Sequence, residues 1–510
     1  VLGASVWVIL GVTSAVRLWV IWGSFFWQDD YIHIWTAWNA PATDLILQNW
    51  NGHREPASFA VQWLLARVAP QVWWPAAMVL SVIAVGTSVM FWLMLRRWGG
   101  TTPATATAAM LFAAWPATLL AQQWLSAGLE TVALLLMLVA GWLLARPLDW
   151  TPFAVGLLAA TAWLFHERAV YFASVLFAIA WFYSGLRQAW RDNRVSWLVL
   201  VGVTVIALGL RAFDGLPGRT PGTSIPGALW SAGPGSVLRS VLGWLPFDED
   251  QRTVVPVPAG LWAIAVLAVW MVILLVGLTA QPRQTVLVAG LVAVLLLAEV
   301  VSFVVLRGGF AGATLAADPR FTLVTGTVLL AGIGSFQITW RPLVVAAATL
   351  AVLGSWSMWT ISRPVDPGRE WLAQARSLPP GADLAATPSP PRMLAHFFFT
   401  TDPPVYELGT TRTLLQVGHD PARFPEVTAQ PLQVDESGEV GPLAFTPLLV
   451  SQQRQCGEVR VPALDAGVRV IKLELESAGA TYVMPPPGPV APIAIGGACV
   501  DRVEVGIPGR

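Results

Sequence analysis

Long apolar runs recur through the first two thirds of this chain, and they leave few folds open to it. A helix needs roughly 20 predominantly apolar residues to cross a bilayer. Such runs fall at Val1–Phe26, Val72–Leu95, Pro103–Leu120, Glu130–Leu144, Pro152–Phe165, Ala169–Tyr183, Val195–Leu210, Leu261–Leu278, Thr285–Val305, Phe321–Ile338 and Leu343–Ile361. That makes about eleven spans, several of them short. Composition points the same way: 55% of the 510 residues are hydrophobic and 12% charged, against about 25% charged in soluble domains. The expected fold class is an α-helical polytopic membrane protein. The first run exceeds a signal-peptide core and shows no small-residue cleavage site, so it is expected to be a retained span. A formal net charge of zero supplies no field for nucleic acid, and no such partner is expected.

Arginine placement orients the spans. Alternate short loops hold Arg96 and Arg97, then Arg146, then Arg187, Arg191 and Arg194, then Arg283, then Arg341. By the positive-inside rule these loops are cytoplasmic. The opposite, outer side then receives Gln28–Pro70, Gln122–Gly128, His166–Arg168, Asp214–Gly260, Arg307–Arg320 and everything after Ile361.

The first outer loop carries two helical patterns. Tyr31, Ile34, Trp35 and Trp38 share one face, and Phe59, Trp63 and Leu64 share another after Pro56, a residue suited to a first helical turn. Both read as amphipathic helices lying in the membrane interface. Val237–Pro246, in the Gly- and Pro-rich Asp214–Gly260 loop, is compatible with a further interfacial helix, and the sequence leaves it open. Beyond Ile361 a short helix is expected from Pro367 through Leu372, capped by Asp366. Alternating segments follow at Val405–Leu408, Thr413–Val417, Leu443–Val450, Val459–Val461, Val468–Glu476 and Val500–Ile507. They predict a β-rich extracytoplasmic domain. The division expected is a membrane domain over 1–361 and a β-rich domain over 362–510. Cys456 and Cys499 lie in the latter, where an oxidising compartment favours one disulfide between them.

The ionisable residues of the outer side carry the chemistry. Asp29 and Asp30 stand where the first span ends; adjacent carboxylates raise one another's pKa, and one at the lip of an apolar cavity can take a proton from a sugar hydroxyl. The plainer reading is a cap on the helix that begins at Tyr31. His53, Arg54 and Glu55 return charge to the same surface as candidate substrate contacts. His166, Glu167 and Arg168 interrupt apolar sequence as a tight outer turn, where an arginine suits a phosphate; the alternative is a Glu167–Arg168 pair that only holds the turn. Arg320, after Asp318 and Pro319, is a second candidate for an anionic head group, whereas Arg307 reads as snorkelling. Glu299 lies within a span and defaults to a functional candidate, unless it pairs with an arginine. No Gly-rich phosphate loop and no strong metal-ligand spacing occurs. His33 and His53 with Asp29 and Asp30 offer donors for a divalent ion, but nothing fixes a geometry, so no metal ligands are assigned.

An acidic pair closing the first span (Gln28-Asp29-Asp30-Tyr31), a loop ending Gly52-His53-Arg54-Glu55-Pro56, and Trp163 ahead of the His166-Glu167-Arg168 turn resemble integral-membrane glycosyltransferases of the GT-C fold. That family includes protein O-mannosyltransferases, aminoarabinose transferases and mycobacterial arabinofuranosyltransferases. The resemblance covers about Val1–Ile361 and rests mainly on the acidic pair and the topology. It implies a multi-pass cell-membrane enzyme whose active site lies on the extracytoplasmic side. The donor it implies is a polyprenyl phosphate-linked sugar. The acceptor is a cell-wall glycan, lipid or protein, with arabinose and mannose as the leading sugars. Asp29 or Asp30 takes the role of base, and Arg168 and Arg320 hold the lipid phosphate with His166 as helper. The β-rich domain is implied to bind glycan. Competing classes are a transporter or flippase of lipid-linked sugars, which would favour paired repeats and mid-membrane charges, and a non-catalytic glycan-binding assembly protein.

Overall fold

The structure is a computed structural model. It describes residues 2–27, 29–50, 53–122, 124–212, 224–242, 247–248, 253–254, 261–307, 316, 318–337, 349–350, 352, 368–375, 383–385, 393, 414–415, 417, 427–434, 439–459, 461, 470–475, 479–483 and 493–508.

Helices run in the order α1 (Leu2–Gly23), α2 (Asp29–Asn39), α3 (Ala42–Ile46), α4 (Pro56–Val68), α5 (Trp73–Gly99), α6 (Pro103–Ala113), α7 (Pro116–Gln122), α8 (Leu125–Leu144) and α9 (Thr151–Phe165). A 3-10 turn, Glu167–Tyr171, leads to α10 (Phe172–Ser184) and α11 (Leu186–Ala212). Next come α12 (Ile225–Ala232), a π turn (Gly233–Val237), α13 (Leu238–Val241), α14 (Leu261–Ala280) and α15 (Pro282–Arg307). A 3-10 turn at Pro319–Thr322 opens the helix Leu323–Gly334, and a short helix covers Arg369–Ala375. By packing, the chain forms two units: Val1–Ser24, Ile46–Val61 and Trp73–Val365 in the first, and Phe25–Leu45, Gln62–Val72 and Asp366–Arg510 in the second. The cut differs from the single boundary expected after residue 361, because two pieces of the first outer loop group with the C-terminal region.

The first unit is a bundle of apolar helices. Among the described residues, Leu2–Gly23, Trp73–Gly99, Leu125–Leu144, Leu186–Leu210 and Pro282–Val304 are long and apolar enough to cross a membrane. Thr151–Phe165, Ile264–Ala280 and Arg320–Gly334 are shorter apolar helices. Large apolar side chains such as Leu198, Ile206 and Val272 stay exposed, an arrangement suited to lipid and costly in water. The chain is a multi-pass membrane protein. Its core joins α5, α6, α8, α9, α10 and the Leu323–Gly334 helix; the Phe91 and Phe112 rings stack at 4.0 Å. Trp115 packs against Gly326, where an added Cβ would come within 2.2 Å of the indole.

Several expected spans change shape, each for a physical reason. Pro103–Leu120 is two helices, because Pro116 cannot continue α6. The break frees carbonyls that Arg17, 1% exposed within α1, collects. Its guanidinium donates to Ala113 O at 2.9 and 3.2 Å, to Trp115 O at 3.0 Å and to Gln122 Oε1 at 2.7 Å. The fourth span starts at Leu125 and takes Glu130 inside it. The seventh begins at Leu186 and bends at Asn193, whose φ of −128° and ψ of 20° leave the helical region. Arg341, Arg307's side chain and most of Leu343–Ile361 lie outside the described residues. Within Val237–Pro246, which the sequence left open, the described residues hold the end of the π turn and α13, and 243–246 lie outside them.

Loops expected on the cytoplasmic side meet one another. Arg97 Nη2 donates to Arg146 O at 3.3 Å, and Gln284 Nε2 to Ser335 Oγ at 2.6 Å. They belong to the helix ends opposite the site described below.

In the second unit, α2 packs on the distal half of α4. His33 Nδ1 meets Gln62 Oε1 at 2.6 Å, and Trp38 Nε1 donates to Ala66 O at 3.1 Å. The Arg67 guanidinium stands 5.0 Å over the Trp38 ring. Strands β3 (Val427–Thr428), β6 (Phe445–Ser451), β7 (Gln455–Val459), β8 (Val470–Leu475), β9 (Gly479–Val483) and β10 (Ile493–Pro508) form an antiparallel sheet in the order β3-β9-β8-β10-β6, with β7 also on β10. β4 (Leu432–Val434) and β5 (Val440–Pro442) pair separately, as do β1 (Phe247–Asp248) and β2 (Thr253–Val254) in the first unit. Ile471, Leu473, Val503 and Val505 fill the core face, while Lys472 and Glu504 pair on the other, as period-two alternation requires. Cys456 and Cys499 sit opposite each other on β7 and β10 and are bonded.

The segments expected at Leu443–Val450, Val468–Glu476 and Val500–Ile507 correspond to β6, β8 and β10. β9 was not signalled, since its Gly-Ala-Thr start lacks the apolar alternation. The Val459–Val461 segment survives only as the end of β7, and Leu414–Leu415 is helical. Val405–Leu408, Asp366 and Pro367 lie outside the described residues. Trp371 and Leu372 are buried in the Arg369–Ala375 helix.

Candidate functional site

Four segments separated in sequence bring charge to one end of the first unit. Trp50 and His53 pair their backbones in both directions, at 2.9 and 2.8 Å, which turns the chain into α4. Glu55 immediately precedes Pro56, so its carboxylate meets the positive end of that helix. Ser58 Oγ donates to Phe165 O at 2.9 Å and ties this helix start to the end of α9. There His166 leaves helical geometry, with φ −164° and ψ 137°, and its Nδ1 accepts the Arg168 N–H at 2.9 Å. This cap starts the 3-10 turn that presents Glu167 and Arg168.

Ion pairs knit these segments together. His53 Nδ1 lies 2.8 Å from Glu167 Oε1 and 3.6 Å from Glu55 Oε1. His166 Nε2 lies 3.5 Å from Glu55 Oε1 and 3.2 Å from Glu130 Oε2. Arg168 Nη1 reaches Glu130 Oε2 at 3.5 Å and donates to the backbone carbonyl of Arg320. Arg320 is held in turn by Asp318, whose carboxylate accepts its N–H at 2.9 Å, its Nε at 2.8 Å and its Nη2 at 2.6 Å. The two guanidiniums stand 5.1 and 5.9 Å from the Phe321 ring centre, and Arg320 also lies 4.8 Å over Trp124. Burial pulls His166 below its ordinary pKa, against the opposing pull of Glu130. His166 is therefore neutral near pH 7, and as its Nδ1 accepts a hydrogen bond, its proton sits on Nε2, facing the carboxylates.

Of the residues singled out in the sequence, His53, Glu55, His166, Glu167, Arg168 and Arg320 share this cluster; Arg54 between them is exposed. Sequence reasoning missed Glu130, which it took as the first residue of a span, and gave Asp318 no role beyond its place before Pro319. The signal for Glu130 was a lone carboxylate in an apolar run, the kind of residue that defaults to function. Glu299 caps a helix: its Oε2 accepts the Thr325 N–H at 3.2 Å and the Thr325 hydroxyl at the start of the Leu323–Gly334 helix.

Asp29 and Asp30 belong to the second unit and open α2. Asp30 is 1% exposed; its Oδ2 accepts the Trp27 N–H at 3.1 Å while its own N–H donates to Trp27 O at 3.0 Å. Asp30 thus caps the start of the helix. Asp29 is half-buried. His33, expected among the metal donors, sits instead on Gln62, and burial holds its pKa down to about 4.

Among the described residues, the donors that converge are His53, Glu55 and His166, whose ligand atoms all lie within 4.8 Å of one another.

No family model matches the chain, and no curated protein matches it. Among solved structures it is similar to the crystal structure of ArnT from Cupriavidus metallidurans bound to undecaprenyl phosphate, at 14% identity and a TM-score of 0.35, over 77% of this chain and 84% of that one. A likeness at that level fixes neither the family nor the reaction.

Proposed function

We propose that this protein is a membrane glycosyltransferase that moves a sugar from a polyprenyl phosphate donor to a hydroxyl acceptor on the extracytoplasmic side. The observation that carries this reading is the meeting of Arg168 and Arg320 over one aromatic ring at the end of an apolar bundle. Two guanidiniums beside lipid-facing helices suit a lipid phosphate, through paired charge-assisted hydrogen bonds.

The reaction is a single displacement. The acceptor oxygen attacks the anomeric carbon, the bond from that carbon to the phosphate oxygen breaks, and the phosphate leaves with the electron pair. Arg168 and Arg320 stabilise the charge that grows on it. The acceptor proton passes to a carboxylate of the first outer loop, and the anomeric centre inverts. The resemblance implies that Asp29 or Asp30 fills this role; Asp30 also caps α2. His166, its ring fixed by the Arg168 amide, orients Glu130 against Arg168.

The test is direct. Purified protein in lipid nanodiscs is given a panel of polyprenyl phosphate sugars, arabinofuranose and mannose among them, and release of polyprenyl phosphate is followed by ³¹P NMR. One donor should be consumed with acceptor present. Translocation of intact donor across proteoliposomes, without release, would replace this reading by the flippase.

A further inference from the structure

The helix ends remote from the charged cluster hold arginines with little to balance them. Arg96 and Arg97 close α5, Arg146 follows α8, and Arg187, Arg191 and Arg194 lie in the first turns of α11. The carboxylates of these segments are Asp149, which is exposed, and Asp192, which lies 3.7 Å from Arg191.

Two of the arginines are drawn together. Arg97 Nη2 donates to Arg146 O at 3.3 Å, and the Arg97 guanidinium stands 3.9 Å over the Trp142 ring. Trp98 Nε1 donates to Gly141 O at 2.9 Å, and Asn193 Nδ2 to Leu144 O at 3.3 Å, so the ends of α5 and α8 and the bend in α11 meet here. The Arg146 charge opposes that of Arg97. Among the described residues no carboxylate pairs with either. Carbonyls at the helix C-termini offset part of this charge, but two like charges at the edge of an apolar bundle still favour an anion between them.

The surface beside them is apolar. Leu148, Trp150 and Phe153 follow Arg146 and are exposed, as is Trp190 between Arg187 and Arg191. Tryptophan next to arginine marks a membrane–water interface. Phe153 and Leu157, 75% and 57% exposed, stand one turn apart on α9 and lead from that level along the apolar helix. A guanidinium pair with an apolar track beside it matches both halves of a phospholipid, whereas a soluble phosphate would use the first half alone.

We propose that Arg97 and Arg146 bind the phosphate of an anionic phospholipid whose acyl chains run along α9. Paired guanidiniums suit a phosphate diester, and basic sites between helix ends on the cytoplasmic side, where these loops are expected, take such head groups. Trp142 holds the Arg97 guanidinium in place from one face. The site is separate from Arg168 and Arg320 and does not rest on sugar transfer.

The experiment uses the full chain in phosphatidylcholine nanodiscs doped with phosphatidylglycerol, with the lipids retained on the protein counted by native mass spectrometry. Wild type should retain one phosphatidylglycerol per chain in preference to phosphatidylcholine. The Arg97→Gln, Arg146→Gln double variant should weaken that retention at least ~10-fold, as lost hydrogen bonds to a charged group predict. Arg146→Gln alone changes an exposed side chain, leaves the carbonyl that accepts Arg97, and should weaken it at least ~3-fold with the fold intact. Arg283→Gln, at an exposed arginine of α15, controls for charge alone and should change nothing. Retention equal in wild type and Arg146→Gln, or reduced as much by Arg283→Gln, overturns the proposal. Inorganic phosphate at millimolar concentration is the second probe. It should neither displace phosphatidylglycerol nor raise the melting temperature in phosphatidylcholine alone; either effect would make the ligand a soluble anion and overturn the lipid assignment.

Discussion

Arg168 donates a hydrogen bond to the backbone carbonyl of Arg320, 152 residues further along the chain. The contact ties the Arg168 side chain to the main chain of Arg320. Both are partnered, Arg168 by Glu130 and Arg320 by Asp318, so they are oriented before any substrate arrives.

Lysine keeps the charge at either position but not the planar fork. Arg168→Lys and Arg320→Lys should each lower kcat/KM for sugar transfer on the order of 100-fold while the melting temperature changes little. Steady-state kinetics with the donor found in the panel checks this. Loss confined to KM would assign the arginines to ground-state binding alone.

The two adjacent aspartates can be told apart. Replacing both by Asn removes the implied base and should abolish transfer with the fold intact. Asp30→Asn still accepts the Trp27 N–H and should keep the fold, whereas Asp30→Ala loses the cap and costs about 1 kcal/mol. Activity and thermal melts on the single and double variants decide between the residues; near-normal turnover in the double Asn variant would contradict the implied role.

Much of this arrangement was legible in the sequence. Hydropathy located the spans because bilayer thickness sets their length. Arginine asymmetry put residues 53–55, 166–168 and 320 on one side, and the structure joins all of them but Arg54 in one cluster. What escaped depended on contacts between distant segments. The Pro116 break reads from sequence as a dent in one span, until Arg17 is seen collecting its carbonyls. Glu130 reads as the edge of a span until His166 and Arg168 are seen against it. Asp30 as a cap needed the backbone of Trp27, since an acidic pair at a helix start serves capping and catalysis equally well.

Arg17 predicts a structural dependence remote from the site. Arg17→Met leaves the Ala113 and Trp115 carbonyls without its donors in apolar surroundings and should destabilise the first unit by about 3 kcal/mol. Tryptophan-fluorescence melts in detergent measure it. A melting temperature equal to wild type would show that the α6–α7 break supports itself.

His33 predicts an acid sensitivity. Its folded pKa of about 4 lies below the ordinary 6.5, so between those values the unfolded chain binds a proton that the folded chain does not. Stability from this group is full above about 6.5 and is lost as pH falls towards 4, on the order of 3 kcal/mol in all. Comparing melts of wild type and His33→Gln at pH 7.5 and 4.5 isolates it. The wild type should lose more than the variant, and parallel losses would contradict the burial argument.

The central claim is that Arg168 and Arg320 hold a lipid phosphate. Its most direct measurement is the affinity of polyprenyl phosphate for wild type and for the Arg168→Gln, Arg320→Gln double variant, by native mass spectrometry from nanodiscs. Binding weakened at least ~30-fold in a variant that still melts cooperatively is the predicted result, and unchanged affinity would contradict the account.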